Sequence, residues 1–109
     1  MLPEIEKYLY DIITSIDSIY SYLGEKRDFK AYLENKQLRR AIERELEIIG
    51  EAAGRILKIE PSINIENAKR IVALRNWVIH GYDKVDDTII WGIISKDLSV
   101  LYEQVKILI

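Results

Sequence analysis

Between Pro3 and Leu23 the apolar residues return every three or four positions, at Ile5, Tyr8, Leu9, Ile12, Ile13, Ile16, Ile19, Tyr20 and Leu23. That period is the turn of an α-helix and not the two-residue alternation of a half-buried strand. A helix with so long an apolar stripe must lay it against other elements. Pro3 suits the first turn, where its missing N–H is not needed, and Gly24 suits the position just past the end. The same constraint runs through the composition. Only two prolines and five glycines stand against abundant Leu, Ile, Glu, Lys, Arg and Ala, which favours helices over sheets.

Further along, Asp28 is placed to cap a short helical segment through Tyr32 and Leu33. A second long helix over 38–57 is signalled by Leu38, Ala41, Ile42, Leu46, Ile49, Ala52, Ala53 and Ile56. Its other face carries Arg44, Glu47, Glu51 and Arg55, spaced to pair along the helix. Gly50 and Gly54 each cost about 1 kcal/mol relative to alanine inside a helix, so they predict a close packing seam. The 58–64 stretch, with Pro61 and Ser62, reads as a loop, and Asn64 as the cap of a third helix over 65–80 that Gly81 terminates. After a turn at 83–87, a fourth helix runs to the C-terminus on Ile90, Ile93, Ile94, Leu98, Leu101, Val105 and Leu108. The expectation is an all-α fold, an antiparallel four-helix bundle with a short extra helical segment, in a single domain over 1–109.

Charge and cysteine usage narrow the function classes. A net charge of -2 excludes a protein that holds nucleic acid by bulk electrostatics, because non-specific affinity comes from Lys and Arg neutralising phosphates. Any nucleic-acid role is therefore local, and Lys36, Arg39, Arg40, Lys69 and Arg70 are the basic residues expected to line a groove. The absence of cysteine removes disulfides and thiolate metal sites. With acidic residues and no long apolar run at its start, the chain reads as a soluble cytoplasmic protein with no membrane association.

The scarcest acid/base group is His80, the only histidine, in Arg75-Asn76-Trp77-Val78-Ile79-His80-Gly81-Tyr82. A helical wheel puts Arg75 and Tyr82 on the apolar arc of the third helix and Asn76 and His80 on the opposite face. Arg75 on an apolar arc needs a partner or a path to water, since an unpaired buried guanidinium is too costly. Glu45 and Glu51 of the second helix are the candidate carboxylates. Arg75 and His80 point well apart, so one helix alone does not aim both at a small target. Loss of helical geometry at Gly81, the reach of Arg75, or a second copy across a two-fold seam can reconcile them, the last implying a homodimer. Chemically, histidine can take and return a proton near neutrality and arginine offers a planar fork to phosphate oxygens. Together they suit metal-independent cleavage of RNA, with no cofactor. On spacing alone, a capping histidine and a surface or paired arginine outweigh the catalytic reading, and Tyr82, Trp77 and Trp91 read as packing residues.

The Arg-x4-His-x-Tyr pattern of Arg75, His80 and Tyr82 resembles the motif of HepT-like toxins in the HEPN superfamily. Leu46-Glu47-Ile48-Ile49-Gly50-Glu51-Ala52 resembles the family's segment before the motif, and Val85-Asp86 with Trp91 resembles the segment after it. One departure is Leu98-Ser99, where many relatives have Leu-Pro. The resemblance implies an all-helical homodimeric endoribonuclease, the toxin of a toxin-antitoxin pair neutralised by an MNT-type nucleotidyltransferase antitoxin. It maps catalysis onto Arg75 and His80, support onto Asn76, and AMP transfer onto Tyr82. Glu51 stands beside them as a supporting carboxylate. The alternative is an inactive helical subunit that binds and regulates a nucleotidyltransferase.

Overall fold

A computed structural model of the chain describes residues 2–25, 27–79 and 87–109, and side chains among them except over 74–79. Every regular element among the described residues is helical. In chain order these are α1 Pro3–Leu23, α2 Phe29–Glu34, α3 Lys36–Ile59, α4 Ala68–Ile79, α5 Asp87–Gly92, a π-helical turn Ile93–Asp97, and α6 Leu98–Leu108. The expected all-α bundle with one short extra segment is therefore the observed one. Among the described residues no helix is long and apolar enough to cross a membrane.

The helix ends follow local chemistry. Pro3 opens α1. At its other end Gly24 takes φ 69° and donates its N–H to Tyr20 O at 3.0 Å, a backbone angle that costs glycine little. Asp28 caps α2 by accepting from the Lys30 N–H at 3.0 Å. Asn35 does the same for α3 through the Leu38 N–H at 3.0 Å, so that helix begins at Lys36, before the first apolar residue of its stripe.

Two expectations about helix ends are corrected. Asn64 is exposed and α4 starts at Ala68 instead of 65. Wholly buried Ile65 plugs the core there, and short backbone turns (Ala68 N–H to Ile65 O, 2.9 Å; Lys69 N–H to Glu66 O, 3.1 Å) lead into the helix. The fourth helix is also not uniform. Leu98 donates its N–H to Ile93 O, five residues back, which defines the π-helical turn between α5 and α6.

α3 carries the architecture, packing against α1, α2 and α4, while α6 packs on α1. Ile12, Ile16 and Ile19 of α1, Ile42, Ile49 and Ile56 of α3, Ile71 of α4 and Leu101 of α6 are fully buried. Each such side chain contributes roughly 1.5–3 kcal/mol of hydrophobic stabilisation. Trp91 packs as expected, its ring 5.5 Å from Phe29 and 5.3 Å from Tyr32, which joins α5 to α2. Of the two glycines expected at a close seam, only Gly54 is shown to depart from it. Gly50 is buried, but a Cβ at Gly54 would meet no atom within 4 Å, so Gly54 borders open space.

Candidate active site

α4 carries Arg75 and Asn76 in its second half. His80 and Tyr82 lie outside the described residues, as does the expected terminator Gly81. α4 runs back along α3 in the opposite sense: Val72 shares a groove of about 550 Å³ with Gly54 and Lys58 near the end of α3. At 1.5 Å per residue, the last turn of α4 then stands roughly level with Glu47.

Of the two carboxylates proposed for Arg75, Glu45 is engaged elsewhere. Its Oε2 accepts from the Tyr22 hydroxyl of α1 at 2.7 Å. Glu51 pairs with Arg55 at 3.2 Å, with both side chains more than half exposed, an interaction worth little in water. Glu51 also borders two adjoining grooves, one with Gly54 and Val72 and one with Tyr8 and Asp11. The side chain of Arg75 itself lies outside the described ones, and with it the expected pairing to Glu45 or Glu51. The ladder expected on α3 does form, with Arg44 also 3.7 Å from Glu47.

Sequence reasoning passed over Glu43. A wheel of α3 places Glu43 and Glu47 on the stripe that holds Gly50 and Gly54, the side bordered by Val72 of α4. Glu43 is half-buried, and its carboxyl is pushed above the usual carboxylate range. Burial is the main cause; Arg40 opposes it and the charge of Asp87 adds to it. Beside it Tyr32 is fully buried with its hydroxyl unpartnered among the described residues, and burial drives its pKa far up. The signal was present as acidic residues at helical spacing with the two glycines, on a face that otherwise reads as solvated.

The basic residues do not line one groove of a single chain. Lys36, Arg39 and Arg40 occupy the first turns of α3, whereas Lys69 and Arg70 open α4 near the other end of α3. From Arg40 to Lys58 is roughly 27 Å along the helix. Arg39 is used locally, donating to Leu33 O. Arg70 reaches Asp97, 3.0 Å away.

An all-helical fold whose sequence carries an Arg-x4-His-x-Tyr motif defines a class of small helical proteins. Comparison places the chain within it. A family model described as "Ribonuclease HepT-like" matches residues 11–108. The chain belongs to this HepT-like family of the HEPN superfamily. "Putative RNase MJ1380" of Methanocaldococcus jannaschii is 32% identical over 106 residues, covering 95% of each chain. "Probable ribonuclease HepT" of Thermococcus cleftensis is 33% identical over 98 residues, 86% of each. "Putative RNase TTE0752" of Caldanaerobacter subterraneus is 37% identical over 79 residues, 72% of this chain and 70% of the relative. No solved structure matches.

Proposed function

We propose that the protein is a metal-independent endoribonuclease whose catalytic pair is His80 and Arg75. The observation that carries this is the presence of Arg75, His80 and Tyr82, in motif spacing, inside the span matched by the ribonuclease family. His80 takes the proton of a ribose 2′-OH, the 2′ oxygen attacks the adjacent phosphorus, and the bond to the 5′ oxygen breaks. The leaving oxygen then takes a proton from the imidazolium. Arg75 stabilises the charge that grows on the phosphorus oxygens, Asn76 supports the pair, and Glu51 supplies a nearby carboxylate.

The assembly we propose is a homodimer, in which a second α4 supplies what one helix cannot aim. The physiological role is that of a toxin in a toxin-antitoxin pair. Its antitoxin is an MNT-type nucleotidyltransferase that transfers AMP to Tyr82, placing a phosphate beside Arg75 and obstructing the cleft. The testing experiment is growth inhibition on expressing the chain alone against its Arg75→Ala and His80→Ala versions. Inhibition by the unaltered chain only supports the reading; equal growth in all three favours a non-catalytic partner of a nucleotidyltransferase. Incubation with that transferase, ATP and magnesium, followed by intact-mass measurement, tests the switch. A mass gain of one AMP that Tyr82→Phe abolishes is expected.

A further inference from the structure

Arg70 differs from every other cation in the expected RNA-binding set. Its side chain is 60% exposed, yet the carboxylate it faces, Asp97, is only 6% exposed. Asp97 lies at the end of the π-helical turn, on the inward side with Ile93 and Ile94. Asn67, just ahead of α4, donates from Nδ2 to Asp97 Oδ1 at 3.1 Å, and Gln104 of α6 donates to Asn67 Oδ1 at 3.4 Å. Asp97 Oδ2 has no directed hydrogen bond among the described residues, and Arg70 Nη1 meets it at 3.0 Å as an ionic contact.

A buried anion is expensive unless it is paired. Neutralising Asp97 would account for a cation here, but not for a guanidinium left mostly in water. Arginine offers five N–H donors in a rigid fork. Nη1 meets Asp97 in a side chain that is 60% exposed, so the guanidinium has donors to offer a further acceptor. A long side chain held through one nitrogen of its guanidinium in this way has already lost rotamer freedom that an unanchored cation would lose on binding. Arg70 also stands five residues before Arg75 on α4, roughly 7.5 Å along the axis and about 140° around it, so the two cations meet different stretches of a bound strand.

We infer that Arg70, anchored by Asp97, is a preformed contact for a backbone phosphate of single-stranded RNA flanking the cleavage position. The inference rests on the ribonuclease reading above. Arg70 and Asp97 act by positioning the substrate and take no part in proton transfer. The contact deepens the expected role of Arg70 by separating it from Lys36, Arg39 and Arg40 at the far end of α3.

The test uses the full chain and a short fluorescent single-stranded RNA. Cleavage is followed for wild type and Arg70→Gln, and binding against salt is measured in the His80→Ala background. Arg70→Gln is expected to raise KM about tenfold while kcat stays nearly constant, consistent with loss of a charge-assisted contact. The slope of log K against log salt should fall by roughly 0.7, the loss of one phosphate contact on a single strand. Arg70→Lys restores the slope but only part of the affinity. Asp97→Asn keeps the slope and weakens binding severalfold. Lys7→Gln, the same charge change on α1 in an exposed pair with Asp11, leaves both unchanged. If the wild type cleaves RNA and Arg70→Gln shows the same KM and salt slope, Arg70 is only a counter-ion and the inference falls alone. If the wild type neither binds nor cleaves RNA, the ribonuclease reading falls with it.

Discussion

The Tyr22 hydroxyl donates to Glu45 at 2.7 Å, tying the last turn of α1 to α3. A carboxylate that the sequence offers to Arg75 is thereby held toward α1. This bond raises the tyrosine's pKa above its ordinary value, the contact with Glu45 being the main cause. A raised folded-state pKa contributes stability below the ordinary tyrosine range that is lost as pH rises through it. Tyr22→Phe should therefore lower Tm slightly at neutral pH, with the gap closing in strongly alkaline solution. RNA cleavage should be unchanged. Thermal melts across pH check the first expectation and a cleavage assay the second.

Gly54 sits in the interior of α3 with open space where a Cβ would go. Gly54→Ala should stabilise the fold by about 0.5–1 kcal/mol, since alanine lowers the entropy of the unfolded chain without a clash. Chemical denaturation is the measurement. A loss of stability would restore the close seam that the sequence suggested.

The apolar period located every long helix because each lays one stripe on a shared core. Asp28 and Gly24 were legible because caps act within a few residues. Asn64 misled because an asparagine before an isoleucine looks like a cap, whereas buried Ile65 shifts the helix start to Ala68. The π-helical turn left no trace because the apolar spacing around Asp97 fits an uninterrupted helix equally well. At the site, the motif was legible as a pattern. The wheel put Glu45 near the apolar arc but could not tell which neighbouring helix it would meet.

Glu43 gives a pH-dependent expectation. Its carboxyl is pushed up, chiefly by burial, so the folded state favours the protonated form. The associated stability is present below the ordinary carboxylate range and is lost as pH rises through the raised folded value. Glu43→Gln should raise Tm at neutral pH, and the advantage should shrink as the solution is acidified through that range. Parallel melts of the two proteins across acid pH read the sign directly.

Trp91 lies against Phe29 and Tyr32 and is only partly buried. Trp91→Ala should cost about 3 kcal/mol, the lower end for loss of a large aromatic from a packed cluster. Denaturant melts give the magnitude, and near-ultraviolet circular dichroism should show the tertiary signal of this cluster diminished while helicity at low temperature is retained.

The most direct test of the catalytic assignment is the rate of RNA cleavage by wild type, His80→Ala and Arg75→Ala in the presence of a metal chelator. All three must first be shown to keep their helical content. Wild type is expected to cleave, and His80→Ala to be slower by about 10²–10⁴-fold, the usual contribution of a positioned acid/base group. Arg75→Ala should be similarly impaired through loss of charge stabilisation. Cleavage by His80→Ala at the wild-type rate, or by wild type only when a divalent metal is restored, would contradict the assignment.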